Sequence, residues 1–352
     1  VPTELPLSSF SGVDDDARLA AFMTYAAAQT YKGTTVVLDE DRTYTFNNQQ
    51  PLYSGFSIRG AIRPGDQNRS GHPSSNLIQV RTTGGWFYLN QAQTFACAFQ
   101  GLTIDGTASN RLIEGHSSRV LWTSSFRDIT SVNAAGVLGS STQQLLMTAC
   151  SGDGYWNINN VRNRGLALGG SDCRFNFSMC LLDSPTALLP DTAFLASFEY
   201  LSKTNLQNFY VTAEGHSAFS ITGTGDFVSF VDCAIEGRNA GAPCKGSLIR
   251  LTGDTRVTVR DTWLAYAMSD PTATGRNDAG FVHATNGSVL LDGCVVEHAS
   301  GVAESTPILY ASGGKHIVRN MRAIGFTGKP VVKQTTAGLI DADSTVTVVT
   351  GP

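Results

Sequence analysis

Val228-Ser-Phe-Val-Asp-Cys-Ala-Ile235, Val257-Thr-Val-Arg-Asp-Thr-Trp-Leu264 and Val289-Leu-Leu-Asp-Gly-Cys-Val-Val296 are three versions of one pattern. Alternating apolar residues run up to an Asp or Gly, one small or apolar residue follows, and the alternation resumes. Period-two alternation is the mark of a strand with one buried face. A residue that tolerates the left-handed backbone region, set between two such runs, marks a tight bend. Asp and Asn add a bond from the side chain to their own downstream backbone. The pattern recurs outward in both directions, as Phe99-Gln-Gly-Leu-Thr-Ile104, Phe126-Arg-Asp-Ile-Thr130, Leu206-Gln-Asn-Phe-Tyr-Val211 and Ile317-Val-Arg-Asn-Met321. Aligned on the bend, the column is Gly101, Asp128, Asn160, Ser178, Asn208, Asp232, Asp261, Gly293 and Asn320, with steps of 18 to 32 residues. Such a period signals a solenoid, in which each rung buries its apolar face only against its neighbours. The residue after the bend is expected to point inward: Leu102, Ile129, Val161, Met179, Phe209, Cys233, Cys294 and Met321.

Composition agrees. The 352 residues are 15% charged and 41% hydrophobic and include 36 Gly, a mixture poor in helix formers and rich in turn formers. The reading is an all-β chain, a right-handed single-stranded parallel β-helix with an N-terminal capping α-helix. Net charge is −4 and no basic run occurs, so nothing marks a nucleic-acid partner. No apolar stretch has the length of a membrane span. The opening at Val1-Pro-Thr-Glu-Leu5 has neither an initiator Met nor an apolar secretory segment, and reads as a processed protein or an excised domain. Seven cysteines without a CxxC pair read as buried structural thiols rather than a metal site or a disulfide framework. No cofactor and no metal is expected.

The chain divides into residues 1–50, with the cap and first strands, and residues 51–352, one continuous β-helix. Asp14 to Gln29 reads as an amphipathic helix, with Asp at its start and Leu19, Phe22, Met23 and Ala26 on one face. An open solenoid end exposes unpaired backbone, so a covering helix is expected there. Residues 61–76, 183–196 and 268–279 read as surface insertions.

The entry Gly12-Val-Asp-Asp-Asp-Ala-Arg-Leu-Ala-Ala-Phe22, followed by Thr35-Val-Val-Leu38 and Thr43-Tyr44, resembles the start of the pectate-lyase-like β-helix superfamily, and Leu102-Thr-Ile-Asp-Gly106 is similar to a recurrent first-rung sequence there. Within it the chain resembles bacteriophage tail spikes and minor tail proteins. Tyr25-Ala-Ala-Ala-Gln29 is similar to tail proteins of phages that infect actinobacteria. The resemblance implies a homotrimer at the virion tail, outside the cell, in contact with other tail proteins and with a host surface glycan. Many relatives depolymerise that polysaccharide and some only bind it.

The chemistry has to be argued from residues. Asp105, Glu236 and Glu297 stand four residues beyond the bend column, and Glu214 six beyond Asn208. In-order stacking puts Glu214 and Glu236 about 5 Å apart and Glu236 and Glu297 about 10 Å apart. These separations span the retaining and the inverting arrangements of glycosidase carboxyl pairs. Asp105-Gly106, Glu214-Gly215 and Glu236-Gly237 equally suit solvated turn entrances. Trp263, Tyr266 and Trp156 are candidate sugar platforms, and core or interface positions suit such aromatics as well. His298 follows Glu297 and is placed to tune it, or is a plain surface His. Three readings stay open: a carboxylate acid/base hydrolase of polysaccharide, a non-enzymatic receptor-binding or structural tail protein, and a polysaccharide lyase.

Overall fold

The computed structural model describes residues 3–28, 33–40, 42–60, 77–82, 85–91, 93–105, 111–114, 120–122, 124–131, 154–163, 166–169, 173–183, 194–199, 203–213, 217–237, 247–265, 280–298 and 306–351. Two compact units divide the chain, Val1–Phe175 and Asn176–Pro352. Each is a stack of parallel strands coiled as a right-handed parallel β-helix.

In the first unit one ladder runs through Thr3–Pro6, Thr34–Leu38, Ser57–Gly60, Ala98–Asp105, Ser125–Ser131 and Gly154–Asn163. Leu77–Val80 joins the far end of Ala98–Asp105, with Ile78 opposite Ile104. Gln50–Leu52, Gly85–Leu89 and Arg111–Glu114 form another ladder. Alternation in the sequence becomes alternation in space: Val36, Leu38, Ile58, Phe99, Leu102, Ile104, Phe126 and Ile129 are all buried. Phe99 and Phe126 lie parallel on adjacent rungs, ring centroids 5.3 Å apart. Each fully buried ring contributes about 1.5–3 kcal/mol of apolar transfer.

Helix α1, Asp15–Ala28, buries Leu19, Phe22, Met23 and Ala26. Phe22 meets Phe56 edge-on at 6.2 Å, so the helix covers the interior of the first rungs. Three successive aspartates fix it in place. Asp14 caps the helix by accepting the Ala17 N–H at 2.8 Å. Asp15 accepts Arg42 Nη2 at 2.5 Å and the Thr45 N–H at 2.8 Å. Asp16 accepts the backbone N–H groups of Asn47 and Asn48 at 2.9 and 3.2 Å. The helix start is therefore tied to the strand Tyr44–Phe46 and the residues after it.

The second unit has three ladders, taken here in chain order within a rung. Ladder 1 holds Phe194–Glu199, the first half of Ser217–Val231, the first half of Ile249–Arg260, Val282–Ala284, Leu309–Ala311, Val331–Gln334 and Thr347–Thr350. Ladder 2 holds Lys203–Gln207, the second halves of Ser217–Val231 and Ile249–Arg260, Ser288–Asp292, Gly314–Arg319 and Gly338–Ala342. Ladder 3 holds Leu181–Asp183, Tyr210–Ala213, Ala234–Gly237, Trp263–Ala265, Val295–Glu297 and Arg322–Ile324. Gly253 (φ +107°) makes the bend between ladders 1 and 2 against the backbone of Gly223, where a Cβ has no room.

The column read from the sequence marks a corner in each unit, in the second unit the one between ladders 2 and 3. Gly101, Asp128, Asn208, Asp232, Asp261, Gly293 and Asn320 all have φ between +48° and +68°. Asn160 lies where the register steps from Asn159 to Val161, opposite Asp128. The remaining corner needs a correction. Met179, not Ser178, takes the left-handed conformation, with φ +53°. Its side chain is 57% exposed, and Cys180 behind it is the inward residue at 4%. Register decides this against turn propensity: Leu181 must pair with Tyr210, and the Met179 N–H donates to the Gln207 carbonyl. A further left-handed corner, Ala96 (φ +54°), has no signal in its side chain.

The inward residue after a corner is often Cys or Thr, and its side chain has a task. The Thr262 hydroxyl donates to the Arg260 carbonyl at 2.7 Å, the Cys233 thiol lies 3.3 Å from the Val231 carbonyl and 3.4 Å from that of Leu206, and the Cys294 thiol is nearer the Val259 carbonyl, at 3.3 Å, than that of Asp292, at 3.6 Å. The Cys180 thiol donates to the Ser178 carbonyl at 3.3 Å, and the Cys97 thiol is nearer the Tyr53 carbonyl, at 3.4 Å, than that of Phe95, at 3.8 Å. Each side chain thus finds a backbone carbonyl at the bend or on a neighbouring rung. These four cysteines are free and buried, and burial pushes the Cys97 thiol up to about 12 and those of Cys233 and Cys294 to about 11. They are inert thiols.

Two outcomes are expected. Asp232→Val puts a β-branched residue in the left-handed region and should cost about 1–3 kcal/mol, whereas Asp232→Asn should stay close to wild type, both read from urea unfolding midpoints. Asp15 is the second case. Burial raises its pKa, but the bonds from Arg42 and the Thr45 N–H outweigh burial and hold it below its ordinary 3.8. Its contribution is present above pH 3.8 and is lost as pH falls through the lower folded value. Asp15→Asn should therefore be less stable than wild type at pH 7, with the gap closing below pH 4.

Candidate functional site: the outward face of ladder 3

In four of the ladder 3 strands the residue three beyond the corner points inward: Val211, Ile235, Leu264 and Val296 are fully buried. The residues on either side of it face outward. Two outward columns result. One runs Tyr210, Ala234, Trp263, Val295, Arg322, and the other Thr212, Glu236, Ala265, Glu297, Ile324.

Glu236 and Glu297 thus share one column, two rungs apart, with the small, fully buried side chain of Ala265 between them. Two strand steps separate their backbones by about 10 Å. Each carboxylate takes a bond from an aromatic donor on the preceding rung. Tyr210 Oη–H donates to Glu236 Oε2 at 2.5 Å, and Trp263 Nε1–H donates to Glu297 Oε2 at 3.1 Å. The two bonds follow the same diagonal, from the first column on one rung to the second column on the next. Tyr210 is 38% exposed, and Trp263, Glu236 and Glu297 are half-buried. The site is a strip of two aromatic–carboxylate pairs along the stack. Chemically it offers two carboxyl groups and two aromatic side chains on one outward face.

The structure sorts the sequence candidates. Glu236, Glu297 and Trp263 come together. Tyr210, which the sequence reading passed over, completes the set. Its signal was available, because Tyr210 stands two residues beyond Asn208 as Trp263 stands two beyond Asp261. Glu214 and Tyr266 lie outside the described residues. The residue that pairs with Glu236 on the preceding rung is Thr212, two positions before Glu214. His298 is buried with its ring edge-on to Phe326 at 5.1 Å, so it sits behind the face rather than on it. Asp105 belongs to the first unit, where Arg81 Nη2 holds its Oδ2 at 3.3 Å. Trp156 is on the strand Gly154–Asn163 of that unit. Among the described residues no group of His, Cys, Asp and Glu is arranged to hold a metal ion.

Fold and face together define the class of protein: a parallel β-helix with a carboxylate-bearing lateral sheet. Solved structures of this fold superpose on nearly the whole chain. The DFA-IIIase of Arthrobacter chlorophenolicus A6 is similar with a TM-score of 0.63 at 11% identity, over 99% of this chain and 96% of its own. A double mutant of the tailspike protein of E. coli bacteriophage HK620 gives 0.58 at 12% identity, over 96% of this chain and 67% of its own. ORF18 of Geobacillus virus E2 gives 0.55 at 11% identity, over 97% of this chain and 61% of its own. At these identities the likeness is one of fold. No family model and no curated protein sequence matches the chain.

The Tyr210–Glu236 contact is directly measurable. A double-mutant cycle of Tyr210→Phe and Glu236→Gln, read by urea unfolding, should give a coupling of about 0.5–1 kcal/mol. Additive losses would place the two side chains apart.

Proposed function

We propose that the protein binds a bacterial surface or cell-wall polysaccharide on the ladder 3 face and hydrolyses it with Glu236 and Glu297. The observation that carries this reading is the placement of two carboxylates on alternate rungs of one face, each oriented by an aromatic donor. A backbone separation of about 10 Å favours the inverting arrangement, in which the carboxyl groups stand ~6.5–9.5 Å apart to leave room for a water. One carboxylic acid protonates the leaving glycosidic oxygen. The other, as carboxylate, takes a proton from the water that attacks the far side of the sugar ring. The Trp263 ring, its N–H engaged by Glu297, keeps its apolar body for a sugar to lie against. The likeness in fold to two phage proteins supports a place on a virion tail, outside the cell, with copies of the chain assembled as a homotrimer beside other tail proteins.

A second reading has its own observation. Both carboxylates already serve as acceptors for Tyr210 and Trp263, a use that a non-enzymatic receptor-binding surface shares. The two readings part on product. Incubation with polysaccharides from candidate hosts should release oligosaccharides whose first-formed reducing end has the inverted anomeric configuration. Glu236→Gln and Glu297→Gln should each slow release by about 100-fold to 10,000-fold while retaining binding. Binding without release by the wild-type protein would leave the receptor-binding reading in its place.

A further inference from the structure

The ladder 2 face lies across the left-handed corner from the carboxylate face and has the opposite electrostatic character. Its outward residues form three columns. The first is Lys203, Phe227, Arg256, Ser288, Lys315 and Leu339. The third is Gln207, Val231, Arg260, Asp292 and Arg319. Between them run Asn205, Ser229, Thr258, Leu290, Ile317 and Asp341, of which Ser229 is buried and Ile317 is 44% exposed. Five cations thus share a face on which the carboxylates are Asp292, Asp341 and, at the bend, Asp254.

Those charges are unevenly satisfied. Asp292 sits between Arg260 and Arg319. It accepts Arg319 Nη2 at 3.1 Å and Asn320 Nδ2 at 2.8 Å, and the Asn320 bond first, then Arg319, hold its carboxyl below the ordinary range. That part of the face is locally balanced. The first column is not. Arg256 and Lys315 are exposed and make no ion pair with a described residue. Ser288 lies between them, so they stand two strand steps apart, about 10 Å. Exposed like charges held at a fixed spacing on a rigid sheet gain nothing from each other and attract a polyanion.

We infer that this strip, Arg256–Ser288–Lys315, is a binding site for an acidic polysaccharide, taking carboxylate or phosphate groups spaced along the chain. Ser288 within the strip and Thr258 beside Arg256 supply donors and acceptors for sugar hydroxyls. Apart from Phe227, the outward columns carry no aromatic ring on which a nucleobase could stack, which favours a glycan over a single-stranded nucleic acid. The inference deepens the glycan reading by naming the charge of the polymer. It uses a face distinct from Glu236 and Glu297, so the two stand or fall separately.

The test is affinity electrophoresis of the full chain in gels containing polygalacturonate, glycerol-phosphate teichoic acid, neutral dextran or duplex DNA. One or both acidic glycans should retard the protein, less so as salt is raised, and dextran should not. Retardation by polygalacturonate alone assigns the strip to carboxylates, and by teichoic acid alone to phosphates. Arg256→Ser combined with Lys315→Ser should weaken the apparent Kd at least tenfold with an unchanged Tm, and should leave release at Glu236 and Glu297 intact. Retardation without any sugar release would count against the hydrolase reading only and still support the strip. No retardation by either acidic glycan, equal retardation of the double variant, or tighter binding to DNA than to both glycans would overturn the inference.

Discussion

The corner hydrogen bond is the interaction on which the rest of the structure depends. At the corners of the second unit from Met179 to Gly293, the backbone N–H of a left-handed residue donates to the carbonyl that precedes the next corner, and at Asn320 it donates to Asp343 Oδ2 instead. Asn208 reaches Val231 at 3.1 Å, Asp232 reaches Arg260 at 3.2 Å, Asp261 reaches Asp292 at 3.0 Å and Gly293 reaches Arg319 at 3.3 Å. The residue after each corner then passes its own carbonyl to the next rung, as Cys233 does to the Trp263 N–H at 2.9 Å. A tight bend with its polar groups satisfied between rungs allows no slippage, because a one-residue shift would turn every apolar side chain of the rung outward. Gly293 shows how closely the corners sit: a Cβ there would meet Asp261 Oδ1 at 2.5 Å.

Fixed register makes the candidate face possible. Since the rungs from Asn208 to Gly293 leave the corner in the same phase, positions two and four beyond it point outward, and position three points inward. Whatever stands at those positions is displayed in two straight columns. Tyr210 and Trp263 occupy the first, and Glu236 and Glu297 the second. The cations of ladder 2 are displayed by the same rule on the approach to the corner. Function on this scaffold is a matter of which side chains are written at a few phases of the repeat, so a face can change its chemistry without disturbing the core.

That logic explains what could be read from the sequence. Seven of the corner positions announce themselves, since Gly, Asn and Asp tolerate the left-handed region and recur at solenoid spacing. The helix α1 was legible from its aspartates and apolar stripe, although the distinct tasks of Asp14, Asp15 and Asp16 depend on strands far along the chain. Met179 and Ala96 were not legible, because their corners are imposed by neighbouring rungs rather than favoured by their own side chains. The strands after Asn320, Val331–Gln334, Gly338–Ala342 and Thr347–Thr350, lack the corner motif and gave no signal. In the candidate site, Glu236, Glu297 and Trp263 followed from phase alone. Tyr210 obeyed the same phase and was passed over, and the burial of His298 against Phe326 depended on a residue 28 positions away.

The central claim is that the rungs from Asn208 to Asn320 stack in order, so that the carboxylates stand in one column. Pulsed dipolar electron resonance between spin labels at Thr212 and Ile324 measures this directly, because the two residues close that column four strand steps apart. Ordered stacking gives a backbone separation of about 19 Å and a narrow distribution centred within a label's length of it. A distance beyond about 30 Å, or a broad distribution without a maximum near 19 Å, would contradict the column and with it the pairing of Glu236 and Glu297 on one face.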